Sequence, residues 1–279
     1  MDTTLTAFYC ITDDMLQASG HREPPQRKMN DAEVMTTALA AMHFYGGNFA
    51  TARDELQEEG YIPRMLSKSQ FNRRLHRLSH WFERLFRALG QLWKKQEHEK
   101  ESTYVIDSFP VKVCENIRIN RCRIYPKGAT EDVYRGLIAS KRQYFYGLKV
   151  FLMTTHDGCP VEVFFTPGSY SDTAQLKQYA FDLPAGSTVY GDKAFNEYFT
   201  EDVLLEASQV ELLPYRKKNS HRALPVWVEF VQHYYRKGVE TAASLIERRL
   251  PKTIHAVTAA GFELKVFLFI LVYSLDKLL

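Results

Sequence analysis

Three carboxylates set the chemistry this chain can do. Asp107 follows a short β-favouring run, Tyr104 to Ile106, with Pro110 close behind. Asp192 follows a second run of the same kind, Ser187-Thr-Val-Tyr-Gly. Glu240 sits in a helical stretch that begins near Trp227. Two aspartates at strand ends and one helical glutamate form the donor set of a two-metal phosphodiester site. Such chemistry needs an activated water or 3′-hydroxyl and a stabilised leaving oxygen, and two divalent ions about 4 Å apart supply both. Magnesium favours oxygen donors, so a few carboxylates can hold the ions and leave room for water and phosphate. The competing reading is coincidence, because the chain carries 33 acidic residues.

The elements that must position these groups follow from patterning. Gln143 to Thr155 and Cys159 to Thr166 read as two strands joined by a turn at His156-Asp157-Gly158. A helix from Ser171 to about Phe181, the Asp192 strand, a helix from about Tyr198, a strand at Val210 to Pro214 and the long Glu240 helix come next. The glycine before Asp192 is expected to turn the backbone, and Asp172 to cap its helix. A hairpin followed by strand–helix alternation implies an α/β fold, a mixed sheet flanked by helices.

The first hundred residues read as all-helical. Asn30 to Glu33 has the form of a capping box, and Asn48 caps a second helix after Gly46-Gly47. From Ser67 onward, Phe71, Leu75, Leu78 and Phe82 make an apolar stripe. Arg73, Arg74, Arg77 and Arg84 fall on other faces, which suits either a helix-turn-helix-like DNA contact or an ordinary solvated face. The charged run Lys94 to Glu101 marks the expected boundary between a helical region, 1–100, and a catalytic region, 101–279. Between Val111 and Lys141 basic residues alternate with tyrosines, either a nucleic-acid surface or a solvated loop.

Composition adds limits. The chain has 279 residues, 45% of them hydrophobic, and a formal net charge of +3. That balance does not by itself demand a polyanionic partner. Its four cysteines form no CxxC pair, which argues against zinc and for reduced thiols in the cytoplasm. Val266 to Tyr273 is too short to span a bilayer, so a buried C-terminal helix and no membrane association are expected.

The ordered set of motifs resembles the DDE transposases of bacterial insertion sequences, of the ribonuclease H-like superfamily. The matching pieces are Val-Ile-Asp107-Ser, Tyr-Gly-Leu-Lys149, Thr-Pro-Gly168 with Ser-Asp172-Thr, Tyr-Gly-Asp192-Lys-Ala-Phe, Leu-Pro-Tyr-Arg216-Lys-Lys-Asn219, and Arg236 four residues before Glu240. Leu66 to Leu78 is most similar to the insertion-sequence nine-eighty-two group. The resemblance implies a five-stranded mixed sheet and Asp107, Asp192 and Glu240 as the metal-binding triad. It also implies two Mg2+ ions per site (Mn2+ substituting), cleavage at transposon ends and 3′-hydroxyl strand transfer into target DNA. Contacts to DNA would come from Arg73, Arg74, Arg77, Lys149, Lys193, Arg216, Lys217 and Arg236. The protein would act as a homo-oligomer on DNA in the bacterial cytoplasm, at the nucleoid. The 48 residues from Asp192 to Glu240 (240 − 192) leave no room for an inserted domain. Relatives often carry a tyrosine three residues before the arginine and a lysine seven after the glutamate. His233 and Glu247 stand there instead, with Tyr234, Tyr235, Arg248 and Arg249 next to them as candidate substitutes. Glu247 lies on roughly the same helical face as Glu240 and is a rival third ligand. Arg236 favours Glu240.

Overall fold

The computed structural model describes residues 1–126, 133–138, 142–177, 179–216 and 219–279. The chain forms two compact units: Met1–Leu89 with Ile246–Leu279, and Gly90–Leu245. The division therefore falls before the charged run at Lys94 to Glu101, and the last helix belongs with the first.

The first unit is helical: α1 (Asp2–Ala18), α2 (Asp31–Phe44), α3 (Phe49–Glu58), α4 (Lys68–Arg77), the start of α5 (Ser79–His98) and α9 (Ala259–Asp276). α2 is its hub. Val34, Met35 and Ala38 to Ala41 are fully buried, and α2 packs on α1, α3, α4 and α9. The expected capping box is present: Asn30 accepts from the Glu33 N–H at 2.6 Å, and Glu33 accepts from the Asn30 N–H at 2.7 Å. A second capping box, Ser67 with Gln70, opens α4. The stripe from Phe71 to Phe82 is one apolar surface on two helices, because the chain breaks at Leu78 between α4 and α5. α9 is buried along most of its length, as a C-terminal core helix should be. Among the described residues no helix is long and apolar enough to cross a membrane.

The second unit is the mixed sheet. Its strands are β1 (Thr103–Cys114), β2 (Arg135–Ile138), β3 (Gln143–Thr155), β4 (Pro160–Pro167), β5 (Thr188–Gly191) and β6 (Glu211–Pro214). β1 pairs antiparallel with β3 and parallel with β5, and β5 pairs parallel with β6. β2 and β4 divide the other edge of β3, taking Gln143 to Tyr146 and Leu148 to Thr154 respectively. The five expected strands are thus present in a mixed sheet, and β2 is a sixth, short one.

Helices α6 (Asp172–Leu176), α7 (Tyr198–Ser208) and α8 (Val226–Arg249) complete the flanks. α8 lies on the sheet through Val228 and Val239, which pack with Val105 and Tyr190. Gln232 ties it to β6 by donating to the Leu213 carbonyl at 2.8 Å. Gly238 makes the close approach possible: a Cβ there would sit 2.4 Å from the His156 carbonyl oxygen at the β3–β4 turn. The end of α5 packs on β4 just as tightly, since a Cβ on Gly90 would lie 2.7 Å from the Val161 carbonyl oxygen.

Three local expectations are corrected. Asp107 is not at the end of its strand, because β1 continues to Cys114. It does sit one residue beyond the β1–β5 ladder, whose last pair is Ile106 with Gly191. Past that point one edge of β1 no longer needs ladder donors, so Pro110 is tolerated inside the strand. Gly191 does not turn the chain. It ends β5, and a side chain there would press on Ile106 and Phe195 at 3.2 Å. Asp172 is not the cap of α6. Ser171 is, accepting from the Ala174 N–H at 3.2 Å.

Candidate active site

The candidate triad is delivered by three elements of the second unit. β1 and β5 run parallel and adjacent, so Asp107 and Asp192 emerge side by side, each one residue past the last ladder pair. α8 brings Glu240. The Ser108 N–H donates to Asp107 Oδ1 at 2.8 Å, and the Lys193 N–H donates to Asp192 Oδ1 at 2.6 Å. Asp192 thereby caps the short 3-10 turn Lys193–Phe195.

Arg236 links the group. Its Nη1 lies 3.1 Å from Asp192 Oδ1 and its Nε 2.7 Å from Glu240 Oε1. Its guanidinium lies over the Tyr215 ring, 5.6 Å from the centroid, and the Tyr215 N–H is held by the Gly191 carbonyl at 3.0 Å. Asp107 is part-buried. Burial pushes its carboxyl up to about 6, and the Asp192 and Glu240 charges add to the rise. The Ser108 N–H and the Arg236 charge oppose it. Three carboxylates therefore share one field with a single guanidinium to balance them.

That donor set suits a hard divalent cation: all oxygen, partly open to solvent, with more negative charge than Arg236 neutralises. The three carboxylates do not crowd one point. Among the described residues, the groups that bring three ligating atoms within 4.8 Å of one another are His21, Glu23 and Asp31, and Glu97, His156 and Asp157. Both are internally satisfied. In the first, Asp31 accepts from Arg27 and Arg74; in the second, His156 bonds Glu97 at 2.8 Å and Asp157 at 2.9 Å. His156, read from sequence as a turn residue, is at that turn and also ties it to Glu97.

Glu247 is exposed and belongs to the helical unit, two turns beyond Glu240. The remaining sequence-derived positions separate into exposed cations and cations engaged by acidic partners. Lys193 is exposed beside Asp192, and Arg73 and Arg77 are exposed on α4. Arg74 is held by Asp31, Glu23 and the Met29 carbonyl. Arg216 makes a two-pronged, buried pair with Glu201 at 2.6 and 2.9 Å. Lys149 pairs with Asp172 at 3.2 Å. It stands opposite Pro110 in register, on the face of β1 that Ser108 uses and Asp107 does not. Ser108 joins the same pair, donating to Asp172 at 2.8 Å. Lys217, and Lys127 and Lys141 of the basic stretch, lie outside the described residues. Sequence reasoning missed Tyr215 as the ring beneath Arg236; its place directly after the β6 strand was the available signal.

Comparison with known proteins agrees at the level of family. The transposase DDE domain model matches residues 97–249, a span that holds Asp107, Asp192, Arg236 and Glu240. No curated protein matches the chain. A solved structure, the Mos1 transposase paired-end complex with left transposon end, is similar over 84% of this chain and 82% of its own at 13% identity, with a TM-score of 0.25. The family match covers more than half of the sequence and takes in every element that carries the candidate triad, and on that ground the chain belongs to the transposase DDE domain family.

Proposed function

We propose that this DDE transposase binds the terminal inverted repeats of an insertion sequence, cleaves DNA there and transfers the freed 3′-hydroxyl to target DNA. The observation that supports this most is the meeting of Asp107, Asp192 and Glu240 around Arg236, inside the family match. Divalent cation dependence comes with the family, and in our reading the three carboxylates hold two Mg2+ ions, with Mn2+ able to substitute. When bound, these ions lower the pKa of an attacking water and stabilise the leaving 3′-oxygen.

The chain's own residues do the rest. Asp107 and Asp192 are fixed by N–H donors from the next residue and so meet a ligand with little reorganisation. Arg236 exchanges its carboxylate partners for a DNA phosphate, guided by the Tyr215 ring. Lys193 adds a second phosphate contact beside Asp192. Arg73 and Arg77 serve duplex binding from α4, as phosphate contacts that set register rather than sequence. Lys149, Arg216 and Arg74 support DNA contact through the surfaces they brace. Two DNA ends require at least two protomers.

The test uses the DNA flanking the reading frame. Labelled flanking duplexes are incubated with purified protein and Mg2+ or Mn2+, beside the Asp192→Asn variant. The reading expects cutting at one phosphodiester near an inverted repeat, lost in the variant and in chelator. Scattered cutting would point to a nuclease without strand transfer, and binding without cutting to a non-catalytic relative.

A further inference from the structure

The outward face of α8 carries aromatic side chains that nothing in the core accounts for. Trp227, Phe230 and Tyr234 are 67%, 74% and 65% exposed. They recur at helical spacing and make one stripe on the side away from Val228 and Val239. Exposed aromatics of this size, contiguous on one surface, mark an interaction site. Two further properties narrow the partner. The same arc holds His233 and Lys237, both exposed, and Glu229 and Glu240 border it on the His233 side. Glu229 and Glu240, eleven residues apart, lie together on the edge of the helix turned toward Asp107 and Asp192. Tyr234 precedes Glu240 by six residues, about 9 Å along the axis, and Trp227 stands about 10 Å further back.

Rings at these intervals beside the Lys237 ammonium, running up to the candidate carboxylates, match the recognition chemistry of unpaired nucleic acid, whose bases stack on aromatics while cations meet the backbone. We propose that the Trp227–Phe230–Tyr234 face is a stacking platform for a single-stranded stretch of DNA next to the candidate catalytic carboxylates. It rests on the transposase reading for the identity of the polymer. It adds that the site works on DNA with locally opened base pairs, whose splayed bases are held along α8.

The molecule provides its own probe. Trp81 and Trp93 are buried, so Trp227 is the exposed tryptophan of the three in the chain. Full-length protein in chelator is titrated with a mixed-sequence 12-nucleotide single strand and, separately, with the blunt duplex of that sequence, while tryptophan emission is followed. The single strand is expected to quench emission, and Trp227→Phe to abolish the quenching but keep most of the affinity. Trp227→Ala with Phe230→Ala should weaken single-strand binding roughly 5- to 150-fold for each stacked base lost, with duplex binding changed less than about twofold. Circular dichroism reports that the double variant is folded, as expected for exposed positions.

Unchanged single-strand affinity in the double variant overturns the proposal. So does equal weakening for duplex and single strand. A shift from dimer to monomer in sedimentation at unchanged single-strand affinity also overturns it, by assigning the face to a second copy of the chain. Cleavage of the flanking duplex, with Asp192→Asn as control, reads the underlying chemistry separately. Failure there with single-strand binding intact removes the transposase reading and leaves the platform.

Discussion

Arg236 donates to Asp192 across 3.1 Å while its neighbouring nitrogen meets Glu240. One guanidinium thus holds together a strand-borne and a helix-borne carboxylate. The pairs are partly open, with side-chain exposures of 30%, 37% and 51% for Arg236, Asp192 and Glu240. Their contribution to stability is correspondingly small, about 0.5 kcal/mol each or less. Arg236→Gln should therefore lower stability by less than about 1 kcal/mol in chemical denaturation. On the proposed role of Arg236 at the reacting phosphate, DNA cutting should fall about 100-fold. Equal losses in stability and cutting would reduce Arg236 to a structural brace.

Asp107 makes folding pH-dependent. Its carboxyl is raised from 3.8 to about 6, so between those values the folded chain binds more protons than the unfolded one. Stability contributed by this group is then present below pH 4 and is lost as pH rises through about 6. Asp107→Asn removes that loss. Without metal the variant should be more stable than wild type at pH 7.5, by on the order of 1–3 kcal/mol, and equal to it near pH 3.5. With Asp107 as a metal ligand, as proposed, divalent cation binding should follow the opposite trend in wild type. On that proposal a bound ion would displace a proton from Asp107 below about pH 6, so apparent affinity should rise with pH up to that point and then level. Calorimetric titration with Mn2+ at pH 5, 6 and 7.5 measures it.

The anchoring of the α5 tail to β4 depends on a buried charge. Lys94 Nζ lies 2.7 Å from Glu162 Oε1, with both side chains under 10% exposed, and Tyr179 also donates to Glu162. Lys94→Met leaves that carboxylate buried beside a methyl group and should cost about 3–5 kcal/mol. Adding Glu162→Leu should recover a large part of the loss, since the orphaned charge and not the missing attraction dominates. Urea denaturation of the single and double variants decides it.

Gly238→Ala tests how closely α8 must approach the sheet. The added methyl would collide with the His156 carbonyl oxygen at 2.4 Å, and backbone cannot rotate away as a side chain can. A stability loss of about 1–3 kcal/mol is expected. Cutting should fall further than stability predicts, because Glu240 is two residues along the displaced helix. Full activity at a temperature where the variant remains folded would show that Glu240 tolerates such a shift.

Much of this architecture was legible in the sequence. Asn30 with Glu33, and Asn48 after the paired glycines, announce their helices because capping is local chemistry. The β3–β4 hairpin and the three carboxylates in order were equally plain. The fate of the cations was not. Arg74 ends on Asp31, 43 residues away, Lys149 on Asp172, 23 away, and Arg216 on Glu201, 15 away. A positive residue reads as available until folding supplies its partner, and these partners come from other elements. The length of β1 was hidden for a related reason. Pro110 stops a strand only where its missing N–H is needed, and that depends on where β5 ends.

The parallel pairing of β1 with β5 also has a kinetic meaning. Asp107 and Asp192 are neighbours in space but 85 positions apart in the chain (192 − 107), and Glu240 comes 48 later still. The β3–β4 hairpin closes at small entropic cost, whereas the pairing of β1 with β3 and with β5 requires progressively longer loop closures. Chain order alone requires that β1, β3 and β4 be synthesised before the elements that bring Asp192 and Glu240. A product truncated before α8 can bear the first two carboxylates but never the third. Assembly of the candidate site thus waits for α8, the last of the three elements that carry it.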